Sequence, residues 1–204
     1  MPSHYPNLNA EKALIWRIVH RENLSWILDN GLYCASAATQ DPDYLPIGNA
    51  ELIDRRKYRA VPVAPAGNLC DYVPFYFTPF SPMMYNIHTG RGVPARSNDD
   101  IIILVSSLHQ VQQAGCRFVF SDRHAYTETA RFFNDMTQLV EVDWLLLQAR
   151  NFKRNMDDPE QIERYQAEAL IHQHLPVSGL VGIVCYTDTL KSALEQQIKQ
   201  RNID

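Results

Sequence analysis

No apolar run in this chain approaches the roughly 20 residues that a membrane-spanning helix needs. The opening residues, Met1-Pro2-Ser3-His4-Tyr5, supply neither the basic nor the apolar stretch of a secretory leader, so a cytoplasmic protein is expected. Cysteine is scarce and scattered: Cys34, Cys70, Cys116 and Cys185 form no close pair, which excludes a zinc knuckle or dithiol redox motif and leaves reduced, buried thiols. The chain also lacks Gly-x-Gly-x-x-Gly and the P-loop, so any dinucleotide here is not held by a Rossmann-type turn. Gly-x-Ser-x-Gly and His-Glu-x-x-His are missing, and with them the hydrolase elbow and the zinc-protease helix. There are no repeats or low-complexity segments, and no overall excess of positive charge: the net charge of −4 argues against a surface that grips polyanions everywhere.

What is present is a globular composition. In 204 residues, 46% hydrophobic and 21% charged, there is material for one sizeable core, and a single domain over 1–204 is expected. The basic residues are locally grouped, as Arg55-Arg56-Lys57-Tyr58-Arg59, Arg117 with Arg123, and Arg150-Asn151-Phe152-Lys153-Arg154, in segments that read as loops. A basic face on an acidic protein suits nucleic acid or a phosphorylated cofactor; solvated loop charge is the plainer alternative.

Along the chain, residues 13–20 form an apolar, β-branched run that predicts a buried strand ending at His20. Asn23 is placed to cap a short helix from Leu24 to Asn30, with Gly31 as its stop. Residues 39–68 are irregular and rich in Pro and Gly, the mark of a functional loop, with a short helix at 50–56 carrying the first basic run. Strands follow at 72–77 and 100–105, the first with Tyr76 opposite in direction to Phe75 and Phe77. Next come a helix over 108–114, a strand over 117–120, and a long connection over 121–157 with one helix near 141–149. The run 180–186 reads as a last strong strand and 189–201 as a last helix. Strands without regular βαβ alternation give an α+β class.

The stretch Glu163-Arg164-Tyr165-Gln166-Ala167-Glu168-Ala169-Leu170-Ile171-His172 stands out. Asp158, Pro159 and Gln161 read as cap, first helical residue and capping box of a helix running into Tyr165. Beyond Gln166 both helix and strand fit the pattern; the strand is favoured, with Glu168 at its start. A carboxylate inside an apolar strand is costly unless it is paired or used, whereas a helix-flank glutamate would be an ordinary surface ion pair.

A His ending the first strand, a Tyr on an aromatic second strand and a Glu opening a late strand together resemble the ADP-ribosyltransferase fold. The runs Trp16-Arg17-Ile18-Val19-His20-Arg21-Glu22-Asn23-Leu24, Ile47-Gly48-Asn49-Ala50-Glu51-Leu52-Ile53 with Arg56, Val73-Pro74-Phe75-Tyr76-Phe77-Thr78-Pro79-Phe80-Ser81-Pro82-Met83, Phe120-Ser121-Asp122-Arg123-His124-Ala125 and Arg164-Tyr165-Gln166-Ala167-Glu168-Ala169-Leu170 are similar to those of the DarT toxins. These are DNA ADP-ribosyltransferases of bacterial toxin–antitoxin pairs. The resemblance implies mixed or antiparallel central sheets flanked by short helices; one departure is visible, in that members of that family tend to carry a further short strand after the last helix, whereas this chain stops at Asp204. It implies a metal-free enzyme that moves ADP-ribose from NAD to a base of single-stranded DNA, thymine in the larger branch, and a macrodomain-type antitoxin as partner. Glu168, Arg56 and His124 become catalytic candidates, Arg56 as a clamp and either Arg56 or His124 as the group that removes the base proton. His20, Asn23, Gly31, Arg56 and Tyr76 are assigned to NAD through a loop at about 39–68. Arg123, Arg150, Lys153 and Arg154 are assigned to DNA through a substrate-presenting segment at about 121–167. Protein or RNA acceptors, NAD hydrolysis alone, and a non-catalytic nucleic-acid-binding relative are the alternatives.

Overall fold

The computed structural model describes residues 5–203. Nine strands make two sheets: β1 (Leu14–His20), β2 (Leu32–Tyr33), β3 (Tyr72–Tyr76), β4 (Ile101–Ser107), β5 (Phe118–Ser121), β6 (Phe132–Phe133), β7 (Glu168–His172), β8 (His174–Leu175) and β9 (Gly182–Val184). Seven form a sheet of order β6-β5-β7-β3-β1-β4-β9, while β2 and β8 pair separately. Every pairing is antiparallel. Seven short helices border them: α1 (Leu24–Asn30), α2 (Ala50–Arg56), α3 (Pro82–Thr89), α4 (Leu108–Gln113), α5 (Trp144–Ala149), α6 (Gln161–Arg164) and α7 (Asp188–Gln200). This is the expected α+β single domain.

Strand parity distributes the side chains. Phe75, Ala169 and Phe120 stand in one cross-strand row, and Val73, Ile171 and Phe118 in the next, all within the main core. The opposite parity carries Tyr76 and Glu168, paired in register, and Tyr72 and Leu170. There Val61, Leu69, Ala125 and Phe132 pack as a second, smaller core drawn from the two long loops. Those loops therefore sit on the sheet rather than beside it. Between β1 and β3 the described residues show one registered pair, Trp16 with Tyr76, whereas β1 and β4 pair along seven residues from Leu14 to His20.

Local chemistry differs from the sequence expectations at several ends. Asn23 makes no cap bond to α1; a 3-10 turn over Arg21–Asn23 precedes that helix, and the His20 ring accepts the Glu22 amide instead. The buried Asn23 amide spans to the long loop, donating to the Leu45 carbonyl (3.0 Å) and accepting from the Leu45 amide (2.8 Å). Asp158 does not cap α6 either: its carboxylate is claimed by both arms of Arg164, at 3.0 and 2.7 Å, a stronger charge-assisted bond than a cap provides. After β3, where no helix was expected, Ser81 caps α3 by accepting the Met84 amide at 3.2 Å. The expected helix near 141–149 is a 3-10 turn over Met136–Glu141 followed by α5. The last apolar run, expected as a strong strand over 180–186, is a three-residue edge strand that pairs with β4 on one side and leaves Val184 exposed. Of the cysteines only Cys34 is buried; Cys70, Cys116 and Cys185 are partly exposed thiols on loops and element ends.

Asn23→Ala leaves both main-chain groups of Leu45 without their partner, at a cost of about 1–3 kcal/mol. Urea unfolding should report that loss, and amide exchange at Leu45 should accelerate. An unchanged Leu45 exchange rate would show that Asn23 does not hold this loop.

Candidate active site

The site is assembled by register. Tyr76 ends β3 directly opposite Glu168, the first residue of β7, so phenol and carboxylate leave the sheet side by side. Glu168 is 2% exposed. Its side chain is met by Arg56, the last residue of α2, whose Nη1 and Nη2 reach Oε1 and Oε2 at 2.9 and 2.6 Å in a two-pronged bond. The Ala125 amide donates to Oε1 at 2.9 Å, and the Glu168 amide itself donates to Ser121 Oγ at 3.3 Å. His124 Nε2 stands 4.0 Å from Oε1. Arg56 reaches this point because Asn49 caps α2, accepting the Leu52 amide at 2.9 Å, and so aims the helix's last turn at the sheet.

Charges in this cluster balance one another. Burial pushes the Glu168 carboxyl up, but the Arg56 guanidinium, His124 and the Ala125 amide outweigh it and hold the group below its ordinary 4.5. Burial also opposes the charge on Arg56, and Glu168 more than restores it. Burial lowers His124 below 6.5 against the opposing pull of Glu168, so its imidazole is neutral at pH 7. The Tyr76 phenol is pushed up to about 12, by burial first and the Glu168 charge second, and stays protonated. The result is an ionised carboxylate, a fixed cation, a neutral imidazole and a neutral phenol around one point.

That point opens into a cleft of about 480 Å³, within the roughly 300–1,000 Å³ typical of ligand sites. Its walls include Trp26, Gly31, Tyr44, Arg56, Tyr76 and Glu168.

A protein-family model for "ssDNA thymidine ADP-ribosyltransferase, DarT" matches residues 16–204. The chain belongs to the DarT family. A DNA ADP-ribosyl transferase of Escherichia coli O127:H6 is 53% identical over 198 residues, covering 97% of this chain and 91% of that protein. Among solved structures, Thermus sp. 2.9 DarT in complex with ADP-ribosylated ssDNA matches at a TM-score of 0.83 and 35% identity, over 99% of this chain and 93% of that one. The same protein in complex with NAD+ matches at 0.79 and 34%, over 94% and 91%. This DarT-family chain is thus an NAD-dependent DNA ADP-ribosyltransferase in fold and in family.

Of the residues singled out in the sequence, the structure brings Glu168, Arg56, His124 and Tyr76 together, with Gly31 further along the cleft wall. Gly31 has φ +81°, and a Cβ there would stand 2.6 Å from the Leu175 carbonyl oxygen, so only glycine fits. His20 and Asn23 lie outside the lining, His20 four residues along β1 from the Tyr76 row. Arg123, Arg150, Lys153 and Arg154 also lie outside it. Arg123 is spent on Asp122 and Glu160, at 3.3 and 3.0 Å, and Arg150 stacks 3.8 Å over the Phe80 ring and donates to the Tyr5 hydroxyl. Lys153 and Arg154 are exposed. Sequence reasoning missed Ser121 and the Ala125 amide, which hold the glutamate from the far side; the strand parity of Phe118–Ser121 was the signal that could have placed Ser121 there.

Arg56→Ala strands a buried carboxylate, and should destabilise the fold by about 3–5 kcal/mol, part of which Glu168→Gln in the same chain recovers. In the native protein the depressed Glu168 carboxyl gives stability that is full above about pH 4.5 and fades as pH falls through the folded value. In Arg56→Ala burial is no longer outweighed by that guanidinium, so the carboxyl rises above its ordinary value and the sign reverses: the variant's deficit is fullest near pH 7 and shrinks as pH falls and Glu168 takes up a proton. Urea melts of the three proteins between pH 7 and 3 check this; coincident pH profiles would show that Arg56 does not govern Glu168.

Proposed function

We propose that this protein transfers one ADP-ribose from NAD to thymine in single-stranded DNA, releasing nicotinamide, and that it acts as the toxin of a toxin–antitoxin pair whose macrodomain-type partner removes the adduct. The observation that carries the chemistry is the ionised, buried Glu168 held two-handed by Arg56 at the end of a dinucleotide-sized cleft.

In this reading Glu168 faces the nicotinamide-bearing ribose. As the nicotinamide–ribose bond breaks, its electron pair leaves with nicotinamide and positive charge gathers on the sugar, where a fixed carboxylate stabilises it. Tyr76, a neutral aromatic on the same row, stacks on the leaving nicotinamide. The base nitrogen then bonds to the ribose carbon and gives up its proton. His124, neutral at pH 7 and 4.0 Å from Glu168, is the matched acceptor for that proton; Arg56 remains a cation and serves as clamp. His20 and the loop over 39–68 are read as holding the remainder of NAD, with Asn23 acting through Leu45. On the DNA side Lys153 and Arg154 are the free phosphate contacts.

Incubation with NAD and single-stranded oligonucleotides should add the mass of one ADP-ribose to strands that contain thymine and none to strands without it. Glu168→Gln, which keeps an acceptor for Arg56 but removes the charge, should bind NAD almost as before while single-turnover transfer falls about 10²-fold or more. Lys153→Gln with Arg154→Gln should cut the salt dependence of DNA binding by a slope of about 1.4, at roughly 0.7 per lost contact. Preference for RNA or protein in direct competition would displace the DNA reading, and harmless expression in cells without an antitoxin would remove the toxin role.

A further inference from the structure

The cleft wall contains a cation that the chemistry above leaves unused. Arg17 leaves the middle of β1 beside the Trp16–Tyr76 pair, where the β1–β3 ladder gives out, and lines the cleft. Its Nη1 donates to the Pro74 carbonyl at 2.8 Å. Its Nε is buried without any hydrogen-bond partner. Among the described residues no carboxylate forms an ion pair with it. The neighbouring charges are already answered: Arg56 by Glu168, and Lys57 by Asp54 at 2.9 Å. Asp41, also on the wall, accepts the Asp43 amide in its own turn. A partly buried guanidinium with one neutral acceptor and an orphaned N–H is costly in the free protein, and an arriving anion would remove that cost.

We propose that Arg17 binds the diphosphate of the dinucleotide substrate. The inference rests on the reading of this cleft as the NAD site and adds a residue and a role to it. Two features select diphosphate over the other parts of NAD. A guanidinium's planar fork matches paired phosphate oxygens, whereas sugars and nicotinamide offer it no charge. Position agrees: Arg17 is one strand residue, about 3.3 Å, along β1 from the Trp16–Tyr76 pair and lines the same cleft as Tyr76 and Glu168. A dinucleotide with its nicotinamide end at Glu168 therefore meets Arg17 with the group that follows its nicotinamide ribose, the diphosphate link. A DNA phosphate shares this chemistry, and the test separates the two.

Arg17→Gln keeps an N–H for the Pro74 carbonyl and removes the charge; Arg17→Lys keeps the charge and loses the fork. Calorimetry on native protein and both variants, with NAD, ADP-ribose, nicotinamide riboside and inorganic pyrophosphate, should show Arg17→Gln weakening NAD, ADP-ribose and pyrophosphate about 30-fold or more. Arg17→Lys should fall between. Nicotinamide riboside, which has no phosphate, should bind all three proteins alike, as should a fluorescent oligonucleotide measured without NAD. Equal loss for nicotinamide riboside, or unchanged NAD binding, overturns the proposal. Loss of oligonucleotide affinity with NAD retained reassigns Arg17 to DNA. If the native protein takes up pyrophosphate through Arg17 but does not bind NAD, the anion site stands and the NAD reading of the cleft fails; if it binds neither, both fail.

Discussion

The two-pronged bond between Arg56 and Glu168 is the constraint on which the rest of the site depends. Neither partner is tolerable alone: a carboxylate at 3% side-chain exposure and a guanidinium at 14% each lose most of their hydration, and the mutual bond restores it. Because the two residues are 112 positions apart, one short bond fixes where the loop after β2 must lie relative to the opening of β7. The Ala125 amide then fixes the other long connection to the same carboxylate, and beside it Ser121 Oγ accepts the Glu168 main-chain amide. Two irregular segments that would otherwise wander are thus tied to a single side chain.

Electrostatics and packing cooperate here. Beneath the loops, Val61, Leu69, Ala125, Phe132 and Leu170 bury a small apolar layer that supports the charged cluster and limits its access to water. Drier surroundings strengthen each of the cluster's bonds and set the protonation states, with Glu168 ionised, His124 neutral and Tyr76 a phenol. The free protein thereby holds this negative charge in a fixed place before any ligand arrives.

Much of this was legible in the sequence wherever a side chain's role follows from periodicity. Strand alternation separated Tyr76 from Phe75 and Phe77, and made Glu168 the first residue of a buried strand rather than a helix-flank surface charge. Loop readings fared differently. Asn23 reads as a cap because capping is what asparagine does before a helix; only the folded chain shows Leu45, twenty-two positions away, taking both ends of its amide. Asp158 reads as a cap for the same reason, and loses that role to Arg164. Arg123, Arg150, Lys153 and Arg154 were assigned together to DNA, yet Arg123 is neutralised by acids and Arg150 is absorbed by aromatic rings. Charge counted along a chain says nothing of which charges cancel in space. The apolar run 180–186 was over-read because hydrophobicity marks a strand without saying whether a neighbour covers it.

The thin seam between β1 and β3 also has a mechanical meaning. With one registered pair there, the two halves of the sheet are joined across the cleft chiefly by side chains and a guanidinium–carbonyl bond, not by a continuous main-chain ladder. A long, polar guest can settle along such a seam without breaking a row of backbone hydrogen bonds to make room.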